Sequence, residues 1–273
     1  MDEPLVSVII PTYNSGKTLD RCLSSIKNQT YKNIEVIVVD NFSKDNTPEI
    51  CKKHGAKLIQ VEGERARAKN IGVKHAKGKY VLFIDSDMEL TPRVVEECVR
   101  VAESNPKVGG VIIPERSVGK SFWVKVRDFE RQFYAGSDIE SARFFPKELV
   151  ERVGGFDEDV VFYEEATLPN KIRLLGYDVK ARINAPIHHI EEDFSLWRWL
   201  KKKYYYGKTL RKFQKNYKHM DRSKTSVMYR LKLFLGNRGF YSKPHLAIGV
   251  LILKGLEFIS AKLGYLTERV KNG

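Results

Sequence analysis

The N-terminal third of the chain alternates short apolar, β-branched runs with stretches whose apolar positions recur at helical spacing. Leu5 to Pro11 is the first run and leads into Thr12-Tyr13-Asn14; Lys17 to Asn28 then carries Leu19, Cys22, Leu23 and Ile26 three and four apart. Ile34 to Val39 is a second run ending at Asp40, Lys57 to Val61 a third, and Tyr80 to Ile84 a fourth ending at Asp85, with helical stretches near 45–54 and 65–76 between them. Uninterrupted apolar strands suit a sheet covered on both faces, and their alternation with helices makes that sheet mostly parallel. The expected fold class is α/β, a mostly parallel sheet with helices on both faces. Ligands of such sheets bind beyond the carboxyl ends of the strands. Three polar clusters fall at such ends: Thr12-Tyr13-Asn14, Asp40-Asn41 and Asp85-Ser86-Asp87.

Past residue 190 the pattern changes. Leu196, Trp199, Lys203, Tyr206, Leu210, Phe213 and Tyr217 recur three and four apart amid Arg198, Lys201, Lys202, Lys208, Arg211, Lys212, Lys215 and Lys218. This predicts an amphipathic basic helix, or two separated near Gly207, whose apolar stripe either packs on the catalytic body or lies on a membrane surface. Leu246 to Leu253 is wholly apolar, and on to Leu266 the charges are Lys254, Glu257 and Lys262. Those three share about 140° of a helical wheel, which reads as one polar edge on an interfacial or packed helix rather than a membrane span.

Composition narrows the class. With 273 residues, 42% hydrophobic and 11% aromatic, the chain is that of a folded protein, and low-complexity or disordered architectures drop out. Cys22, Cys51 and Cys98 form no CxxC pair, so a disulfide framework or cysteine zinc site is not expected. Met1-Asp2-Glu3-Pro4 is acidic where a signal peptide is basic, and the expectation is a cytoplasmic protein. The net charge of +14 is unevenly distributed: residues 1–186 carry 29 basic and 28 acidic side chains, residues 187–273 carry 19 and 6. The division expected is a near-neutral catalytic domain over 1–190 and a basic helical region over 191–273.

Asp85 and Asp87 leave a buried strand within a few ångströms of each other, a costly pairing unless a cation or a shared proton relieves it. With oxygen ligands the fitting cation is Mg²⁺ or Mn²⁺, usually shared with substrate phosphates. Downstream, Gly154-Gly155-Phe156-Asp157 marks a turn, and Tyr163-Glu164-Glu165 opens a helix that runs to Leu175 with Pro169 in its path. The acidic pair there serves either the helix dipole or a general base. His189, after the apolar-tinged stretch to Ile187, either ligates the metal or makes a structural hydrogen bond. Neither GxGxxG nor GxxxxGK[ST] occurs in the strand-end loops, which disfavours dinucleotide oxidoreductases and P-loop NTPases.

Val-Ser-Val-Ile-Ile-Pro-Thr-Tyr-Asn, Val-Ile-Val-Val-Asp-Asn-Phe-Ser, Arg-Ala-Lys-Asn-Ile-Gly, Val-Leu-Phe-Ile-Asp-Ser-Asp and Gly-Gly-Phe-Asp-Glu followed by Glu-Glu together resemble the family 2 inverting glycosyltransferases over about residues 5–190. Their fold is the Rossmann-like GT-A fold. The resemblance implies that Pro11, Thr12, Tyr13 and Asn14 line a nucleotide pocket and that Asp40 holds the base or ribose of the donor. It brings Arg67, Lys69 and Asn70 to the diphosphate, Asp85 with Ser86 to the ribose or sugar, and Asp87 to a metal that Asp85 and His189 help to hold. Glu165 would be the base that deprotonates the acceptor hydroxyl, with Glu164 its rival. The activity implied is metal-dependent, inverting hexosyl transfer from a UDP- or GDP-sugar.

The acceptor is read from the basic region. Several Lys and Arg near an anionic surface hold a protein there reversibly, so the expectation is a peripheral protein on the cytoplasmic face of the membrane acting on a glycan or lipid-linked acceptor. A polyprenyl-phosphate hexose synthase is the alternative within enzymology. A nucleic-acid-binding protein fits the charge, but no recognisable nucleic-acid motif accompanies it.

Overall fold

The computed structural model describes residues 3–216 and 226–271. Its first ninety residues follow the apolar pattern closely: β1 (Val6–Thr12), α1 (Leu19–Lys27), β2 (Ile34–Asp40), α2 (Thr47–His54), β3 (Lys57–Gln60), α3 (Arg65–His75), β4 (Tyr80–Phe83) and β5 (Met88–Leu90). There follow α4 (Val94–Ser104), β6 (Val111–Ile112), β7 (Glu115–Val118), α5 (Phe122–Gln132), β8 (Ala142–Pro146), α6 (Lys147–Arg152), α7 (Glu164–Leu174), β9 (Ala181–Arg182) and β10 (Ile187–Ile190). The chain closes with α8 (Leu196–Asn216), α9 (Val227–Leu235), a 3₁₀ turn (Arg238–Ser242) and α10 (Pro244–Lys271).

These elements form two units. The first runs to Glu115 and adds Ser141–Glu158 and Glu164–Ile190; the second takes Arg116–Glu140, Asp159–Tyr163 and the chain from Glu191 onward. The second unit thus recruits α5 from the middle of the sequence.

In the first unit seven strands are ordered β3-β2-β1-β4-β8-β6-β9. The β1–β2, β1–β4 and β2–β3 pairs are parallel, and β8 is antiparallel to both its neighbours. Alternate residues of β1 and β4 divide between two cores, as the pleat requires. Val6, Val8, Ile10 and Leu82 join α1 and α4 on one face, while Ile9, Val81 and Phe83 join α3, α6 and α7 on the other. All three cysteines are buried and free. The register pairs Thr12 with Asp40, and Asp85 follows one residue past Ile84, whose N–H donates to the Ile9 carbonyl at 3.2 Å. Three clusters scattered in sequence therefore share one edge.

In the second unit Phe129 of α5, Phe234 of α9, Phe240, and Val250 and Leu253 of α10 form the core, with Leu196 and Trp199 of α8 packed against it. Helix α8 runs unbroken through Gly207. The reason lies in the pairing with α10: a Cβ at Gly207 would meet the Ala261 carbonyl oxygen at 2.0 Å, and one at Gly264 the Tyr204 carbonyl oxygen at 2.0 Å. Backbones this close admit no side chain. Gly264→Ala is expected to lower stability by about 1–3 kcal/mol through overpacking, whereas Gly255→Ala, with nothing within 4 Å of its added Cβ, should raise it by about 1 kcal/mol. Paired thermal melts check the contrast, and equal shifts would refute it.

Of the two settings left open for the apolar stripe of α8, Trp199 takes the packed one, within the second unit: its indole N–H donates to Glu257 Oε1 at 2.6 Å and Arg127 lies 3.8 Å over its ring. The single polar edge expected of Lys254, Glu257 and Lys262 is corrected: Lys254 Nζ sits 2.7 Å from both Glu257 Oε2 and Glu130 Oε1, with Glu130 buried and the other two half-buried, while Lys262 is exposed. The wheel gave the angular position of each residue but not which arc the neighbours would cover. Tyr217 and Lys218 lie outside the described residues, as do the side chains of 211–216.

Candidate active site

At the edge of the first unit, the loops after β1, β2 and β3 enclose a cleft of about 550 Å³ lined by Tyr13, Asn41, Phe42, Lys44, Glu62, Gly63 and Glu64. Tyr13 and Phe42 expose their rings there. Asn14 (φ 48°) and Phe42 (φ 52°) adopt left-handed backbone, which Asn tolerates and Phe does not favour. Cross-bonds between the loops hold them so. Asn14 N–H donates to Ser43 Oγ at 2.7 Å and Asn14 Oδ1 accepts from Lys44 N at 2.9 Å. Buried Asp40 anchors the second loop, accepting from Ser43 N at 2.9 Å, from Ser43 Oγ, and from Gln60 Nε2 at 3.2 Å. Pro11 closes the strand below, and the buried Thr12 hydroxyl has no hydrogen-bond partner, an expensive state for a polar group unless something else meets it.

The acidic cluster is assembled by strand pairing. β10 runs antiparallel to β5 with His189 opposite Met88, and Ile190 N–H donates to the Asp87 carbonyl at 2.8 Å. Glu97 of α4 fixes the approach to β10 by accepting from Asn184 N and Ala185 N at 2.9 and 3.1 Å. His189 Nε2 thereby lies 3.2 Å from Asp87 Oδ1. One ligand atom from each of Asp85, Asp87 and His189 falls within 4.8 Å of the others. Two carboxylates and an imidazole at that spacing fit Mg²⁺ or Mn²⁺. Ser86 between the acids donates to Ser15 Oγ at 2.8 Å, tying this loop to the first.

Cations surround the acids. Arg143 of β8 grips Glu115 through Nε and Nη2, at 2.8 and 2.5 Å to one oxygen, and its Nη1 is 3.8 Å from Asp85. Burial pushes the Asp85 carboxyl up, but Arg143, then Lys69, Arg65 and His189, outweigh it and hold the group well below the usual range. In α3, Lys69 Nζ lies 3.1 Å from Glu164 Oε1 and Arg65 Nη2 lies 3.5 Å from Oε2. Glu164 is 2% exposed. Burial again opposes ionisation, and Lys69 and Arg65 again prevail. Glu165, its neighbour in the first turn of α7, is half-buried and lies in the field of Arg143. Tyr163, just before the pair, takes φ 64°, and such strain concentrates at functional sites.

Not every predicted residue points into this cluster. Asn70 spends its amide on the 154–158 turn: Oδ1 accepts from Phe156 N at 2.8 Å, and Nδ2 donates to the Phe156 carbonyl at 3.0 Å and to Glu158 at 2.9 Å. Gly155, at φ 70°, approaches Asn70 so closely that a Cβ would lie 2.3 Å from Oδ1, so both residues are required for this clamp. Arg67 is exposed, whereas Lys69 is buried. Sequence reasoning missed Arg65, Arg143 and Glu115. The i, i+4 spacing of Arg65 and Lys69 was the available signal for the first; nothing local marks Arg143, which is brought in by antiparallel pairing of β8 with β4.

Residues 7–156 match the family model described as glycosyl transferase family 2. Glycosyltransferase GlyG of Streptococcus pneumoniae is 36% identical over 136 residues, a match covering 46% of this chain and 45% of that protein, so the match spans less than half of that relative's length. Mannosyltransferase PcManGT from Pyrobaculum calidifontis, solved in complex with GDP-Man and Mn²⁺, aligns over 99% of this chain and 87% of its own, with a TM-score of 0.64 and 22% identity. Staphylococcus aureus TarS 1-349 in complex with UDP-GlcNAc aligns over 98% and 92%, with a TM-score of 0.57 and 16% identity. At these identities the structural likeness is one of fold, and that fold is GT-A.

Proposed function

Because the chain belongs to glycosyl transferase family 2 and is a glycosyltransferase, we propose that it transfers a hexosyl group, with inversion and with a divalent cation, from a UDP- or GDP-sugar to a hydroxyl of a glycan or lipid-linked acceptor. The observation that carries this is the Asp85-Asp87-His189 ligand set, with Arg143 lying 3.8 Å from Asp85 and in the field of the carboxylate of Glu165.

In this reading Tyr13 and Phe42 stack the nucleotide base, and Asp40 shapes their loop. Asp85, Asp87 and His189 hold Mg²⁺ or Mn²⁺, which would stabilise negative charge on the departing diphosphate. Glu165 takes the proton of the acceptor hydroxyl as its oxygen forms the new bond to the anomeric carbon. The bond from that carbon to the diphosphate oxygen breaks, and the nucleotide leaves with the electron pair. One base suffices for a single displacement, and single displacement inverts the centre. Lys69 and Arg65, positioned by Glu164, keep the surroundings positive against the accumulating charge.

Calorimetric titration of GDP, UDP and their sugars, with and without Mn²⁺, tests the donor site. One nucleotide is expected to bind in a Mn²⁺-dependent manner. Asp87→Ala should remove that dependence, weakening donor binding by more than the roughly 10–100-fold that loss of a ligand's hydrogen-bond partner costs a metal site. Metal-independent binding by the parent protein, or an unchanged Asp87→Ala titration, would overturn the metal assignment.

A further inference from the structure

Helix α10 is built inside out. Lys254 and Glu257 point into the second unit, where they meet Glu130, Trp199 and, at 3.9 Å from Glu257, Lys203. On the same inner arc lie Leu246, Val250 and Leu253, all buried. The outer arc carries Ile248, Ile252, Phe258, Ile259, Leu263 and Leu266, exposed by 58, 49, 48, 56, 53 and 41%. At 3.6 residues per turn these six fall within about 140° of the wheel and extend about 27 Å along the helix. A solvated helix turns its charges outward; here Lys254 and Glu257 are turned inward and six large apolar side chains outward, with Lys262 exposed among them, so the medium that suits the outer arc is apolar with a charged surface at hand.

Charge chooses between candidate media. Exposed Lys243 just precedes α10 and exposed Lys262 lies within the stripe, exposed Lys232 and Arg238 lie on α9 and the 3₁₀ turn before it, and exposed Arg198, Lys201 and Lys202 lie on α8. Residues 187–273 carry 19 basic against 6 acidic side chains. A second copy of so basic a region would meet like charge, whereas an anionic lipid surface is complementary. Among the described residues no helix is long and apolar enough to cross a membrane. We infer that α10 lies flat on an anionic lipid bilayer, its Ile248–Leu266 face sunk into the acyl boundary and its basic neighbours on the headgroups. This binding is independent of the donor chemistry proposed above.

The full-length protein is tested by co-sedimentation with vesicles of phosphatidylglycerol mixed with phosphatidylcholine, and with vesicles of phosphatidylcholine alone. Stronger binding to the anionic vesicles that weakens with salt is expected. The triple variant Ile252→Ser, Ile259→Ser, Leu263→Ser, altered only at exposed positions, should lose about tenfold or more of that binding while its nucleotide titration stays that of the parent, which also reports that it is folded. A fluorophore on Ile259→Cys, the native cysteines being buried, should shift to the blue on vesicle addition, and one on Lys201→Cys much less. Failure of the parent to bind anionic vesicles, or undiminished binding by the triple variant, overturns the inference. So does a parent that sediments as a dimer which the triple variant dissociates, since the face would then belong to a second copy.

Discussion

Glu165→Gln is expected to lower turnover by about 10²–10⁴-fold while leaving donor affinity at the parent value. Gln preserves the size and most of the hydrogen bonding of Glu but cannot accept a proton from an alcohol. The substitution therefore isolates proton transfer from binding. Glu165 stands in the first turn of α7, in the field of Arg143 and hydrogen-bonded to its neighbour Glu164. Initial-rate kinetics with saturating donor, read beside calorimetric donor affinity, separate the effects: kcat should fall and the donor dissociation constant should not. Near-parental turnover would move the base elsewhere, or point to an acceptor, such as a lipid phosphate, that needs no base.

The contrast between neighbours shows how much of the site was legible beforehand. The strand edge was fully legible, because parallel β-branched runs ending in Asn or Asp fix both the sheet and where its polar residues emerge; Thr12, Asp40 and Asp85 fall there by register alone. His189 was legible as a candidate, and its position follows from β10 pairing with β5, a contact that sequence spacing cannot give. Glu164 and Glu165 differ in burial, the first buried and the second half-buried. Two adjacent acids on a helix differ by about 100° in direction, and only the packed structure reveals which one faces Lys69. In the second unit the periodicities of α8 and α10 gave the helices but not their orientation. A glycine contact between backbones sets α8 against α10, and an ion network with Glu130 turns Lys254 and Glu257 inward, opposite to the direction that their charge alone implied.

Glu164→Gln should act on stability instead of on proton transfer. The Glu164 carboxylate and the Lys69 ammonium have 3% and 4% of their side chains exposed, so removing the negative charge strands a buried cation that also sits 4.9 Å over the Phe156 ring. Breaking a buried pair from one side costs about 3–5 kcal/mol, a large part of a domain's stability. The pH dependence carries the sign of a depressed carboxylate: folding stabilises the ionised form, so the contribution is full above the ordinary value of 4.5 and is lost as pH falls through the lower, folded-state value. Denaturant unfolding should therefore find the variant less stable at neutral pH, with the two proteins converging in acid. Adding Lys69→Met to the variant removes the stranded charge and should recover part of the loss, because the pair's partners are not independent. A variant as stable as its parent at neutral pH would mean that Glu164 is not the anchor of α3 on α7; a loss of stability that is constant with pH would mean that it anchors by shape and not by charge. Either result would return Glu164 to contention as the base, since the ion pair with Lys69 is what reserves it for structure.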